Sequence, residues 1–148
     1  MEIFIDADGC PVVDLTLEIA VKYQLKTVIL CDTSHEFQRD GAETIVVSKG
    51  ADSVDFALVN RIQSGDIAVT QDYGLAAMCM AKGAIPISQN GMVYTDENID
   101  ALLLARHTAK KIRNAGGRLK GSRKRTRQQN IDFVKELERL ICTSRSEK

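Results

Sequence analysis

Met1-Glu2-Ile3-Phe4-Ile5-Asp6-Ala7-Asp8-Gly9-Cys10-Pro11 is the stretch from which the rest of the chain can be read. Ile3, Phe4 and Ile5 form a continuous β-branched and aromatic run, as expected of a strand buried on both faces of a parallel sheet. Gly9 breaks the run, and Pro11 suits the first turn of a helix. Asp6 and Asp8 therefore fall where strand gives way to helix. This carboxyl end of the strand is where open α/β sheets hold their ligands. Read alone, Asp8 is a helix cap, whereas Asp6 is harder to dismiss as merely the end of the strand.

Moving outward, Val12, Leu15, Ile19 and Tyr23 keep helical spacing and predict a first helix from Pro11 to Gln24. Strands follow over Thr27–Cys31, Thr44–Val47, Ile67–Thr70 and Ala84–Ser88. The polar stretch from Asp32 to Gly41 reads as a loop or short distorted helix. A helix carrying Val54, Ala57, Leu58 and Ile62 precedes the Gly65-Asp66 turn, and Asp72 opens another that ends at Ala81 before Gly83. Strands bracketing helices predict right-handed crossovers and a three-layer α/β/α sandwich around a mainly parallel five-stranded sheet. Met92–Tyr94 is expected to add a small hairpin strand at the edge. Thr95 suits the N-cap of a long helix with Ile99, Leu102, Leu103 and Ile112, and a last helix from Arg125 to Ile141 is expected to bury Ile131, Val134, Leu137 and Ile141.

A chain of 148 residues, 44% of them hydrophobic, has material for one sizeable core. The expectation is a single domain, 1–148, with an α/β body over 1–94 and a basic helical extension over 95–148 packed on it. No run is long enough to span a membrane, and the acidic first strand lacks the basic flank of a secretory signal, so a cytoplasmic location is expected. Cys10, Cys31, Cys79 and Cys142 lack zinc-site or redox spacing and are expected to be buried thiols. The zero net charge conceals a division. Residues 1–105 hold 6 Lys/Arg against 16 Asp/Glu, whereas residues 106–148 hold 14 against 4. Between Arg106 and Arg127 there are ten basic residues and no acid, a density suited to a polyanion such as nucleic acid.

In a parallel sheet all carboxyl ends share one edge, so Asp6, Asp52, Asp55 and Asp72 should converge there. Each is explicable as a cap, and Asp52-x-x-Asp55 resembles a capping box. Yet Ser, Thr or Asn would cap as well, and Asp at every site concentrates negative charge that a cation can neutralise. Mg²⁺ or Mn²⁺ prefers such oxygen ligands, and sites of this kind hydrolyse phosphodiesters with metal-activated water. The two histidines, His35 and His107, offer no nucleophile-activating pattern. His35, after the second strand, could approach a substrate at the same edge.

Ile5-Asp-Ala-Asp-Gly-Cys-Pro11, Gly50-Ala-Asp-Ser-Val-Asp55, Gly65-Asp-Ile-Ala-Val-Thr-Gln-Asp72 with Leu75-Ala76, Lys82-Gly-Ala84, Arg106 through Gly117 and Phe133 to Leu137 resemble the YaiI/YqxD family of uncharacterised bacterial proteins. Members of that family resemble the PIN-like, NYN-related nuclease superfamily. The resemblance implies a metal-binding acidic rim: catalytic Asp6, Asp52 and Asp72, with Asp6, Asp8, Asp52, Asp55 and Asp72 as ligands of Mg²⁺ or Mn²⁺. Asp8 falls where many PIN domains have Asn. Gly74 and Ser122 stand where relatives are expected to have proline, a difference of loop stiffness. Thr70 and His35 are the candidate substrate contacts. The expected nucleic-acid contacts, with RNA favoured by analogy, are Arg106, Lys110, Arg113, Arg118, Lys120, Arg123, Lys124, Arg125 and Arg127.

Two other readings use the same residues. Asp6-x-Asp8-Gly9 also resembles the opening motif of haloacid-dehalogenase-type phosphatases, with Asp6 as nucleophile and Thr33 and Lys49 completing the site. Against it, Gly65-Asp66 precedes its strand, Cys10-Pro11 replaces the expected residues, and the basic segment is left without a purpose. A non-catalytic RNA-binding protein would keep the basic segment and use the acids as caps.

Overall fold

A computed structural model describes residues 1–32, 39–50, 52–116 and 124–146. Among these residues the elements are β1 (Glu2–Asp6), α1 (Val13–Lys22), β2 (Lys26–Asp32), β3 (Ala42–Val47), α2 (Ser53–Arg61), β4 (Ile67–Val69), α3 (Tyr73–Ala81), β5 (Ile85–Ile87), α4 (Asp96–Asn114) and α5 (Arg127–Ser146). The five strands form one sheet in the order β3-β2-β1-β4-β5. Every pairing is parallel, with Ile5 opposite both Ile29 and Val69 at the centre. From β1 the chain goes to β2 on one side, whereas β4 lies on the other. The carboxyl end of the β1–β4 pair is therefore the topological switch point, where such sheets form their crevice.

Alternation along the strands makes the three layers. Ile3, Ile5, Ile29, Cys31, Ile67 and Val69 point to one face and pack with Val13, Ile19 and Ala20 of α1 and with Phe133, Leu137, Leu140 and Ile141 of α5. Phe4, Val28, Leu30 and Ala68 point to the other, against Leu58 of α2 and Leu75 and Cys79 of α3. With α1 and α2 on opposite faces and their crossovers running in opposite directions along the sheet, the two connections share one hand, as the twist of parallel strands demands. α4 packs outside α3 through Ala76, Tyr94 and Ile99, where the Tyr73 and Tyr94 rings meet tilted at 6.0 Å.

Several local expectations are corrected. The first helix begins at Val13, because Pro11 and Val12 form its entry turn; its cap residue is Val12, and Asp8 does not cap it. Met92–Tyr94 makes only one antiparallel bridge, Val93 to Ile87, since the chain leaves the edge at once to begin α4. There, Thr95 and Asn98 form a reciprocal capping box. The last helix starts at Arg127. Ile131 is exposed because it stands two residues, over half a turn, from fully buried Phe133; Phe133, Leu137, Leu140 and Ile141 form the buried stripe instead. Ile112 is also exposed, as α4 outruns the body it packs on. Of the cysteines only Cys31 and Cys79 are buried; Cys10 is half-buried and Cys142 exposed, and no disulfide joins any of the four. No helix among the described residues is long and apolar enough to cross a membrane.

Candidate functional site

Asp6, the last residue of β1, projects into the switch-point crevice. Its Oδ2 accepts a hydrogen bond from the Thr70 hydroxyl at 2.8 Å. The same hydroxyl accepts from the Asp72 backbone N–H at 3.0 Å, so Thr70 couples the end of β1 to the start of α3. Thr70 is itself held in place: its N–H donates to the Ile87 carbonyl, and its carbonyl accepts from the buried Tyr94 hydroxyl at 3.1 Å. Nothing in the sequence marks Tyr94 for this role, because its partner is 24 residues away.

Each acid at this edge has a particular local partner. Asp72 caps α3, its Oδ1 accepting from the Leu75 N–H at 3.1 Å, where the helix dipole favours a negative charge. Asp8 Oδ2 accepts from the Asp32 N–H at 3.0 Å, which brings the end of β2 into the site. Asp32 belongs to none of the sequence motifs; its place at the end of an apolar strand is the signal that marks it. The capping box suggested by Asp52 and Asp55 does not form; Asp52 sits in the left-handed region at φ 66° and makes no side-chain cap bond.

Asp6, Asp8, Asp55 and Asp72 nevertheless form one electrostatic group. Burial pushes the Asp6 carboxyl up from 3.8 to about 6; the Thr70 hydrogen bond opposes this, and the charges of Asp72 and Asp8 add to it. Asp55 also rises to about 6 through burial, then through the charges of Asp72, Asp6 and Asp52, and through a hydrogen bond with Asp72 that favours its protonated form. Asp52 lies farther out and acts on Asp55. Among the described residues no three acidic, histidine or cysteine side chains converge as a ready-made ligand cluster.

Two openings lie at this edge. A small cavity of about 50 Å³ is lined by Asp6, Asp8, Cys10, Thr70, Gln71 and Gln89, enough for an ion with a little water. A wider groove of about 370 Å³ runs between α2, α3 and α4, with Asp52, Asp55, Asp72 and Arg106 on its walls. Arg106 Nη1 stands 3.6 Å from Asp72 Oδ1, joining the basic helix to the acidic edge.

A family model described as "Uncharacterized BCR, YaiI/YqxD family" matches residues 4–143. The chain belongs to the YaiI/YqxD family. Its similar relatives include the UPF0178 proteins of Exiguobacterium sibiricum, 55% identical over 95% of this chain and 96% of the relative, and of Ruminiclostridium cellulolyticum, 49% identical over 93% and 90%. The UPF0178 protein of Alkaliphilus oremlandii is 47% identical over 93% and 88%. No solved structure matches the chain.

In this YaiI/YqxD chain the basic residues divide by environment. Arg106, Lys110 and Arg113 are exposed on α4 at spacings of four and three, hence along one side of the helix. Lys124 and Arg127 are exposed as well. Arg125 has three donors engaged within the chain: Nη1 to Asn90 Oδ1 at 2.8 Å, Nη2 to the Gln89 carbonyl at 2.6 Å, and Nε to Asn130 Oδ1 at 2.8 Å. It thereby braces the turn whose Gln89 lines the small cavity. Arg118, Lys120, Arg123, Thr33 and His35 lie outside the described residues, as does Ser122.

Proposed function

We propose that the acidic edge binds Mg²⁺ or Mn²⁺ and hydrolyses phosphodiester bonds of nucleic acid, RNA in the first instance, while the basic face of α4 holds the backbone. One observation carries this reading: the Thr70 hydroxyl ties Asp6 to Asp72 at the switch point, amid the charges of Asp8 and Asp55. The donor set suits a hard divalent ion, which takes a few carboxylate oxygens directly and retains several waters. Asp6 and Asp72, the pair joined through Thr70, would hold it, with Asp8, Asp55 and Asp52 adding charge around them. When bound, the ion supplies activated water and stabilises the leaving oxygen.

The chain's own contribution is placement and charge. Thr70 fixes the Asp6 carboxylate, and Asp72 is oriented by the first turn of α3. Arg106 sits where it can exchange Asp72 for a phosphate oxygen, and Lys110 and Arg113 continue the positive line. The resemblance to PIN-like nucleases favours the same chemistry.

Calorimetric titration with Mn²⁺, alongside cleavage of end-labelled RNA, tests the reading. Wild type should bind the ion and cut only in its presence, and Asp6→Asn should lose both while remaining folded. Wild type that binds no divalent ion would refute the proposal; RNA binding without ion binding would leave a non-catalytic RNA-binding protein.

A further inference from the structure

The groove beside the acids contains a feature that the hydrolytic reading does not use. Phe56 lines it and is 60% exposed, and no other phenylalanine or tyrosine among the described residues is exposed. Helical geometry accounts for the position: Leu58, two residues on, is fully buried against the sheet, so Phe56 faces almost the opposite way. It contributes little to the core and instead presents its ring to the groove. Met78 adds a second apolar surface to the groove. At Gly74, also on the groove wall, a Cβ would stand 3.3 Å from Asp72 Oδ1, so glycine leaves that carboxylate uncrowded.

We propose that this groove receives an unpaired nucleobase stacked on Phe56, making single-stranded nucleic acid the substrate. The inference rests on the nuclease reading and deepens it. Beyond the ion held at Asp72, the groove's walls carry Asp52 and Asp55, which repel a phosphate yet accept hydrogen bonds from the amino and imino groups of a base. The phosphates have a separate place on α4, where Arg106 borders the groove and Lys110 and Arg113 lead away from it. A strand lying along α4 can therefore put its charged backbone on cations and its neutral base against Phe56. In a duplex the base faces are already stacked on their neighbours, so a paired strand cannot use this surface without unstacking. At about 370 Å³ the groove falls in the size range of small-ligand sites.

The chain has no tryptophan, so Phe56→Trp introduces a single indole at the proposed platform. Full-length Phe56→Trp is titrated in Mg²⁺ with a dye-labelled oligoadenylate, an abasic strand of equal length and a blunt duplex, following indole fluorescence and dye anisotropy together. Oligoadenylate should quench the indole, and the abasic strand and duplex should not. Phe56→Ala should weaken oligoadenylate binding by about 5- to 150-fold, the range for loss of one stacked base, while Phe56→Tyr retains it. If oligoadenylate is bound and cut but the indole is unaffected and Phe56→Ala binds equally well, the base site is wrong and the nuclease reading stands. If wild type neither binds nor cuts any strand, the nuclease reading fails and the base site with it.

Discussion

The Thr70 hydroxyl donates to Asp6 Oδ2 at 2.8 Å, connecting residues 64 positions apart in the chain. Thr70 is only 2% exposed and also accepts from the Asp72 N–H, so both polar functions of its hydroxyl are engaged. Thr70→Val keeps the shape but removes both partners, leaving a half-buried carboxylate and an amide unsatisfied. It should cost about 1–3 kcal/mol in urea denaturation, whereas Thr70→Ser should retain most of the stability.

The raised carboxyls set a pH dependence. Asp6 and Asp55 both titrate near 6 in the folded chain against 3.8 for the ordinary group, so between those values the native state binds more protons than the unfolded state. Stability then falls as pH rises through this window, and the full penalty is present above it. The Asp6 share is on the order of 3 kcal/mol. Thermal melts in chelator should show wild type losing ground to Asp6→Asn between pH 4 and 7. A pH-independent difference between the two proteins would contradict this origin. Under the metal-site proposal, Mn²⁺ at neutral pH should recover part of the loss for wild type alone.

Basic residues in different environments should respond differently to substitution. If α4 tracks a single-stranded backbone, replacing Arg106, Lys110 and Arg113 by Ala should make the log–log salt dependence of RNA binding shallower by about 2. Arg125→Ala removes three internal hydrogen bonds that brace the Gln89–Asn90 turn. It should lower the melting temperature and reduce ion affinity, changing the salt slope by less than the α4 triple variant.

The last helix should behave as part of the central core. Phe133 and Leu137 are fully buried beside strand residues from the opposite end of the sequence. Phe133→Ala should destabilise by about 3–5 kcal/mol and still melt in one transition. Exposed Ile131→Ala should fall within about 0.5 kcal/mol of wild type. Equal effects at the two positions would mean that the buried stripe has been misidentified.

The parallel α/β sandwich was legible in the sequence because its signals are local. A run such as Ile3-Phe4-Ile5 has few uses other than a strand covered on both faces, and the intervening helices repeat apolar residues at their own period. Parallelism then placed the carboxyl ends of the strands on one edge, so the positions of Asp6 and Asp72 could be inferred from chain order. The charge division between residues 1–105 and 106–148 was equally a matter of reading. Tertiary structure decided which partner each side chain takes. Asp8 reads as a helix cap, yet its carboxylate accepts from Asp32 across neighbouring strands; Arg125 reads as one cation in a basic run, yet its donors are used at Gln89, Asn90 and Asn130. Nor does any local pattern reveal that Tyr94 supports Thr70, or that Phe56 opens onto the same groove as Asp72 and Arg106. Periodicity fixes the side of an element on which a residue stands, because that is local backbone geometry. The group it meets there depends on how separate elements pack, and only the folded chain decides that.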